Sequence, residues 1–201
     1  MPSHTDNQPA TLSFGQVPRL PQNWWVDQPT SDPESVWQVW RRDTYYLWGA
    51  NQGNYRQQAI GTVIGGGGMA GDQGPTRGRY HPHYVGVITM QYQTMPGNDA
   101  VFGTLQQWLD QGHHVVVPTF PDPSIQATGA KFSLGTGIGG SQPHWDHIQR
   151  YLLSHIVALS QHAERTEFPA GTYWPDLRRQ PVVTHPLTSL QDIQRIIDTV
   201  L

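Results

Sequence analysis

The sequence predicts an α/β protein, a sandwich built on a largely parallel sheet. Three observations carry that reading. Tyr84-Val85-Gly86-Val87-Ile88-Thr89-Met90 is a short apolar, β-branched run. His114-Val115-Val116-Val117-Pro118 is a second, and the segment between them repeats apolar residues at helical spacing. Strands that alternate with helices pair in parallel, with the helices packed on the sheet faces.

The elements follow in order. Residues 1–30 are polar and carry prolines at 2, 9, 18, 21 and 29, which reads as an extended or disordered arm. Within it, Trp24-Trp25-Val26 is expected to dock on the body of the single domain that spans residues 31–201. Ser31-Asp32-Pro33-Glu34 is a helix start, with Ser31 as cap and Glu34 at the capping-box position, ahead of Val36, Trp37, Val39 and Trp40. Thr44-Tyr45-Tyr46-Leu47-Trp48 reads as a buried strand and runs into the polar turn Gly49–Asn54. A short helix over Tyr55–Ile64 is a weaker expectation. After the strand at 84–90, Asn98 or Asp99 caps a helix carrying Val101, Phe102, Leu105, Trp108 and Leu109, and Gly112 ends it.

The strand at 114–118 leads into a proline-rich loop over Phe120–Ala130. Beyond Gly140 a helix presents Ile148, Leu152, Ile156 and Leu159 on one face. Residues 164–180 read as irregular, Val182-Val183 as a short strand, and Thr188 or Ser189 as the cap of a last helix bearing Leu190, Ile193, Ile196 and Ile197.

Composition excludes several function classes. The chain has 201 residues and a formal net charge of −3, with no run of basic residues, which argues against a nucleic-acid surface. Lys131 is the sole lysine; arginine supplies the other positive charges. There is no cysteine, so disulfides, thiolate metal sites and cysteine nucleophiles are excluded. No window is long and apolar enough to span a membrane, and the first residues lack the basic and apolar regions of a signal peptide, so a cytoplasmic location is expected. Ten histidines keep a metal site open, with His81/His83 and the i, i+3 pair His144/His147 as the places to look. Capping or surface roles are the default for such pairs, so no metal and no cofactor are assigned.

Two glycine-rich stretches hold the chemistry. Gly135-Thr136-Gly137-Ile138-Gly139-Gly140 lies between an apolar run and a helix N-terminus. Glycine lets the backbone take positive φ and lets a ligand reach main-chain N–H groups, and a helix N-terminus adds its dipole, so this stretch suits a diphosphate. Gly65-Gly66-Gly67-Gly68-Met69-Ala70 is the second, followed by Gly71 and Asp72. The other reading of both is a tight turn in which glycine relieves strain. Asn51 offers donor and acceptor together, for a ribose hydroxyl or a water; its alternative role is to cap its own turn. Asp72 is the nearest carboxylate to a glycine loop and the candidate general base; its alternative role is to cap a helix or turn.

Together these stretches resemble the macrodomain family: "WGANQGN" after a strand, "GGGGMAGD", a strand–helix–strand unit, then "LGTGIGG" before a helix. The match covers roughly residues 31–162. It departs from the family in lacking a placeable adenine-binding Asp, in reading "GANQ" for the usual "NAAN", and in separating Val115–Val117 from Gly135, either by a proline-rich insertion or by an extra strand at Lys131–Leu134, as a divergent, phage-type or bacterial member would. The resemblance implies a three-layer α/β/α sandwich with a mixed sheet. It implies binding of ADP-ribose or a related nucleotide diphosphate by residues 65–70 and 135–140; hydrolysis of an ADP-ribosyl linkage or a phosphoester is a further expectation, with Asn51 and Asp72 as the candidate residues. The competing expectation is a non-catalytic protein–protein interaction module, its surface supplied by the 8 tryptophans and the proline-rich arm.

Overall fold

The computed structural model describes residues 9–16, 44–51, 84–90, 96–122, 129–135 and 142–201. They form an α/β sandwich on a mixed, largely parallel sheet. The strands are β1 (Thr11–Gly15), β2 (Thr44–Asn51), β3 (Tyr84–Met90), β4 (His114–Pro121), β5 (Ala130–Phe132), β6 (Arg165–Glu167), β7 (Thr172–Asp176) and β8 (Val183–Pro186). The helices are α1 (Pro96–Asp110), α2 (Gln142–Ser160) and α3 (Leu190–Thr199).

The sheet has two limbs that share β4. One is wholly parallel, in the order β3-β2-β4-β1-β6. The other runs β4-β5-β7-β8, with β5 antiparallel to β4, β7 parallel to β5 and β8 antiparallel to β7. Pro118 is the reason the limbs diverge. The Pro118 carbonyl accepts from Ser133 N–H at 3.2 Å and Asp122 N–H donates to Gly129 O at 3.2 Å, so even-numbered residues at this end of β4 face β5. Odd-numbered residues serve β1, whose register continues to Gly15 opposite Pro118 and needs no Pro118 N–H. The even edge is the one β2 uses below, and its ladder ends at Tyr46 opposite Val116. The next donor on that edge would be the N–H that proline lacks. So β2 leaves β4 there, and β5 returns to take the Pro118 carbonyl.

The core follows the sequence patterns closely. Val85, Val87, Val115 and Val117 are fully buried in the parallel limb. Ile148, Leu152, Ile156 and Leu159 of α2 are at 0% exposure, as their spacing predicts. Gly112 ends α1 with φ +88°. The helix starts at Pro96, earlier than the predicted cap. Asp99 serves α2 instead: it accepts from Tyr151 Oη at 2.6 Å and faces His155 Nε2 at 3.3 Å. At α3, Ser189 occupies the N-cap without a side-chain cap bond. Asp192 Oδ2 closes that end by accepting from Thr188 N (2.9 Å) and Thr188 Oγ1 (2.7 Å). These bonds hold the Asp192 carboxyl below its usual range.

Three expectations need correction. The stretch read as a peripheral arm, residues 1–30, contains β1, which lies between β4 and β6 with Leu12 and Phe14 buried. Residues 164–180 are not irregular: they hold β6 and β7. The loop expected over 120–130 begins later, because β4 runs on to Pro121, and it ends at Ala130, where β5 starts, overlapping the extra strand expected at Lys131–Leu134. The expected helices at 31–42 and 55–64, and the Trp24-Trp25-Val26 dock, lie outside the described residues.

The α1–α2 contact has a built-in pH response. His155 stacks flat on Phe102, with ring centroids 4.2 Å apart and planes at 6°. Burial lowers its pKa, and this outweighs the pull of Asp99 in the other direction. The fold therefore favours neutral imidazole. As pH falls through the unfolded value of about 6.5, the unfolded chain takes up the proton first, and stability declines until the lowered folded pKa is reached. The full contribution is present above that window. Melting temperature measured from pH 8 to pH 5 should fall on the acid side, and His155→Gln should flatten part of the fall. An identical profile in the variant would remove His155 from the account.

Candidate functional site

The site is set by the sheet order. From β1 to β2 to β3 the chain steps one way across the parallel limb; from β3 to β4 to β6 it steps back. β2 thus leads on toward β3, whereas its neighbour β4 leads back past β1 toward β6, so the direction changes between β2 and β4. Parallel sheets bind ligands in the crevice outside the carboxyl ends of the strands where the direction changes. Here that is the end of β4, beyond Gly15 of β1 and beside the gap that β2 leaves.

The chain re-enters this place at Gly135. Ser133 donates its N–H to Pro118, and its Oγ donates to the same carbonyl at 3.0 Å. Two residues on, Gly135 turns with φ +77°, a conformation that favours glycine. Gln149 of α2, fully buried, fixes the turn: its Nε2 donates to Leu134 O at 3.2 Å and its Oε1 accepts from Trp174 Nε1 at 2.8 Å. The turn is thereby held against the N-terminal half of α2, seven residues before that helix begins. Trp145, near the start of α2, is buried, and its Nε1–H has no hydrogen-bond partner among the described residues.

On the α2 side the wall is ionic. Asp176, at the end of β7, is completely buried. Its Oδ1 accepts from Arg178 N (3.2 Å) and Nε (2.6 Å), and its Oδ2 from Arg178 Nη2 (3.0 Å) and Arg179 Nε (3.3 Å). Arg178 also reaches Asp146 at 3.4 Å and lies over the Trp145 ring at 5.9 Å. Burial works to raise the Asp176 pKa, but the Arg178 and Arg179 bonds outweigh it and hold the carboxyl below its ordinary range.

The opposite face of this limb carries a different set. Phe120 pairs with Lys131 across β4 and β5, and Lys131 with Tyr173 across β5 and β7, so all three share one face, with Asp122 two residues beyond Phe120. Trp174, on the other face, meets α2. The Tyr173 hydroxyl crosses β5 and donates to Asp122 Oδ2. Burial, and then Asp122, push the phenol pKa upward, so it stays a donor.

Of the residues singled out in the sequence, two fall at this edge. Asn51 is the last residue of β2, opposite Met90 after a register shift at Ala50/Asn51. Gly135 makes the turn already described. Thr136, Gly137, Ile138, Gly139 and Gly140 lie outside the described residues, as do Gly65, Gly66, Gly67, Gly68, Met69, Ala70, Asp72, His81 and His83. His144 and His147 stand on the first turns of α2, and among the described residues no group of three or more His, Asp or Glu is placed to hold a metal. Asp122, Lys131, Tyr173 and Gln149 were not assigned to the site from sequence. Lys131 had one signal, being the sole lysine.

No protein-family model matches the chain, and neither a curated protein nor a solved structure matches it. No helix among the described residues is long and apolar enough to cross a membrane.

Proposed function

We propose that the chain binds ADP-ribose or a related nucleotide diphosphate at the carboxyl end of β4. The observation that carries this reading is the Gly135 turn, held by Gln149 against α2 at the point where the sheet changes direction. The diphosphate would sit on main-chain N–H groups of 135–140 with the α2 N-terminus behind them. The unpartnered Trp145 N–H near that terminus supports it, since a buried donor calls for an acceptor. Asn51 flanks the same edge as a partner for a ribose hydroxyl or a water. Asp72 is the base named for hydrolysis of an ADP-ribosyl linkage, and release of ADP-ribose from a modified protein is the assay for that step.

Calorimetry with ADP-ribose tests the binding. Heat without saturation, or none at all, at ~1 mM ligand would overturn the reading, because that corresponds to under about 4 kcal/mol of affinity. A thermal scan gives a second readout: ligand at 100 times its Kd should stabilise the fold by ~2.7 kcal/mol. Gly137→Val is expected to abolish this binding and leave the protein folded. In this reading a Cβ there would stand between the N–H groups and the ligand oxygens, and if the glycine takes positive φ the added strain costs about 1–3 kcal/mol against a typical total of ~5–15 kcal/mol. A folded Gly137→Val protein with unchanged affinity would take the turn out of the site.

A second reading, a protein-interaction module, draws on Leu177, Val182 and Val183, the exposed large apolar residues on and beside the β7–β8 hairpin. It predicts no thermal shift with any nucleotide.

A further inference from the structure

We propose that the face of the sheet beyond β4 carries a sugar-phosphate subsite, with Asp122 taking a ribose diol and Lys131 the phosphate next to it. This rests on the nucleotide reading above and names the part of the ligand that the second face would hold.

The placement comes first. Asp122 and Lys131 lie past the last paired residue of β1, Gly15 opposite Pro118, and therefore outside the carboxyl end of the parallel limb. Both are half-buried. Lys131 stands opposite Phe120, so Asp122 is its diagonal neighbour on the same face, at about 7–8 Å between backbones. That separation suits a pentose bridging a carboxylate and a cation.

The chemistry comes second. Lys131 has no ion pair and no side-chain hydrogen bond among the described residues. Its ammonium is a compact cation on a flexible stem, which suits a phosphate held as a point charge. An ionised carboxylate is acceptor-only with several lone-pair positions, and two neighbouring hydroxyls are its natural donors. Tyr173, 5% exposed, fixes the direction of Asp122 through the phenol bond and acts as the positioning residue.

Ribose 5-phosphate and 2-deoxyribose 5-phosphate are the probes, titrated into the full chain by calorimetry. The wild type should prefer ribose 5-phosphate by ~10-fold or more, the worth of one hydrogen bond to a charged group. Asp122→Asn should erase that preference, and Lys131→Met should weaken both sugars by a similar factor while keeping the preference. Tyr173→Phe should lessen the preference without losing the phosphate contribution. Equal wild-type affinity for the two sugars, no binding of either, or full affinity in Lys131→Met would overturn the proposal. Gly137→Val separates it from the diphosphate reading: that variant should lose ADP-ribose yet keep its preference between the sugars. A wild type that prefers ribose 5-phosphate but ignores ADP-ribose would sink the diphosphate reading alone.

Discussion

Asp176→Ala should cost about 3–5 kcal/mol of stability, the expected range when one partner of a buried ion pair is removed. The carboxylate is fully buried and takes four hydrogen bonds from two arginines. Of the two, Arg178 matters more. Its side chain is only 17% exposed, so without Asp176 it keeps a 3.4 Å contact to Asp146 and the face of Trp145, too little to replace water. The Arg179 side chain is 68% exposed and can turn to solvent, so its contact adds little. Urea unfolding at neutral pH gives the number, and a loss under ~1 kcal/mol would mean that water reaches Arg178 freely. The acid limb gives a second check. Asp176 has a lowered folded pKa, so its contribution is present above the unfolded carboxyl value of about 3.9 and is lost as pH falls toward the folded one. In the alanine variant that part of the acid loss should be absent.

What the sequence discloses, and what it withholds, follows from where the information sits. The strand at 84–90 and the helix ending at Gly112 are local: β-branched runs and a glycine at φ +88° need no partner to be recognised. β1 is not local. Thr11-Leu12-Ser13-Phe14-Gly15 is five residues in a polar, proline-rich context, and it is a strand because Leu12 and Phe14 find Val115 and Val117. β7 misleads in another way. Thr172-Tyr173-Trp174-Pro175-Asp176 ends in a proline and an acid, both signs of a loop, yet every residue is buried because Arg178 neutralises the acid. Pro118 was legible as a residue but not as a cause, since its effect depends on which edge of β4 each neighbour takes. The candidate site divides the same way. The Gly135 turn shows in composition; Asp122, Lys131 and Tyr173 come from three segments and share a face only through the registers of β4, β5 and β7.

Gln149→Leu should separate the fold's need for the Gly135 turn from the ligand's. Leucine fills most of the space but makes no hydrogen bonds. Trp174 Nε1 would lose its acceptor and Leu134 O would lose its side-chain donor, both inside the core. Each buried group left unpaired costs roughly 1–3 kcal/mol, so a total loss of about 2–6 kcal/mol is expected by urea unfolding. The protein should still fold, because Leu134, Trp174 and Ile148 keep their apolar contacts in the core. Function should suffer beyond that. With Leu134 O released, the turn loses the side-chain bond that ties it to α2, and a ligand seated on the turn would have to supply that order itself. ADP-ribose affinity should then drop by ~10-fold or more at a temperature where the variant is fully folded, the equivalent of about 1.4 kcal/mol. If the variant loses stability while its ADP-ribose affinity stays at the wild-type value, Gln149 serves the core alone, and the turn is held for the ligand by something other than α2.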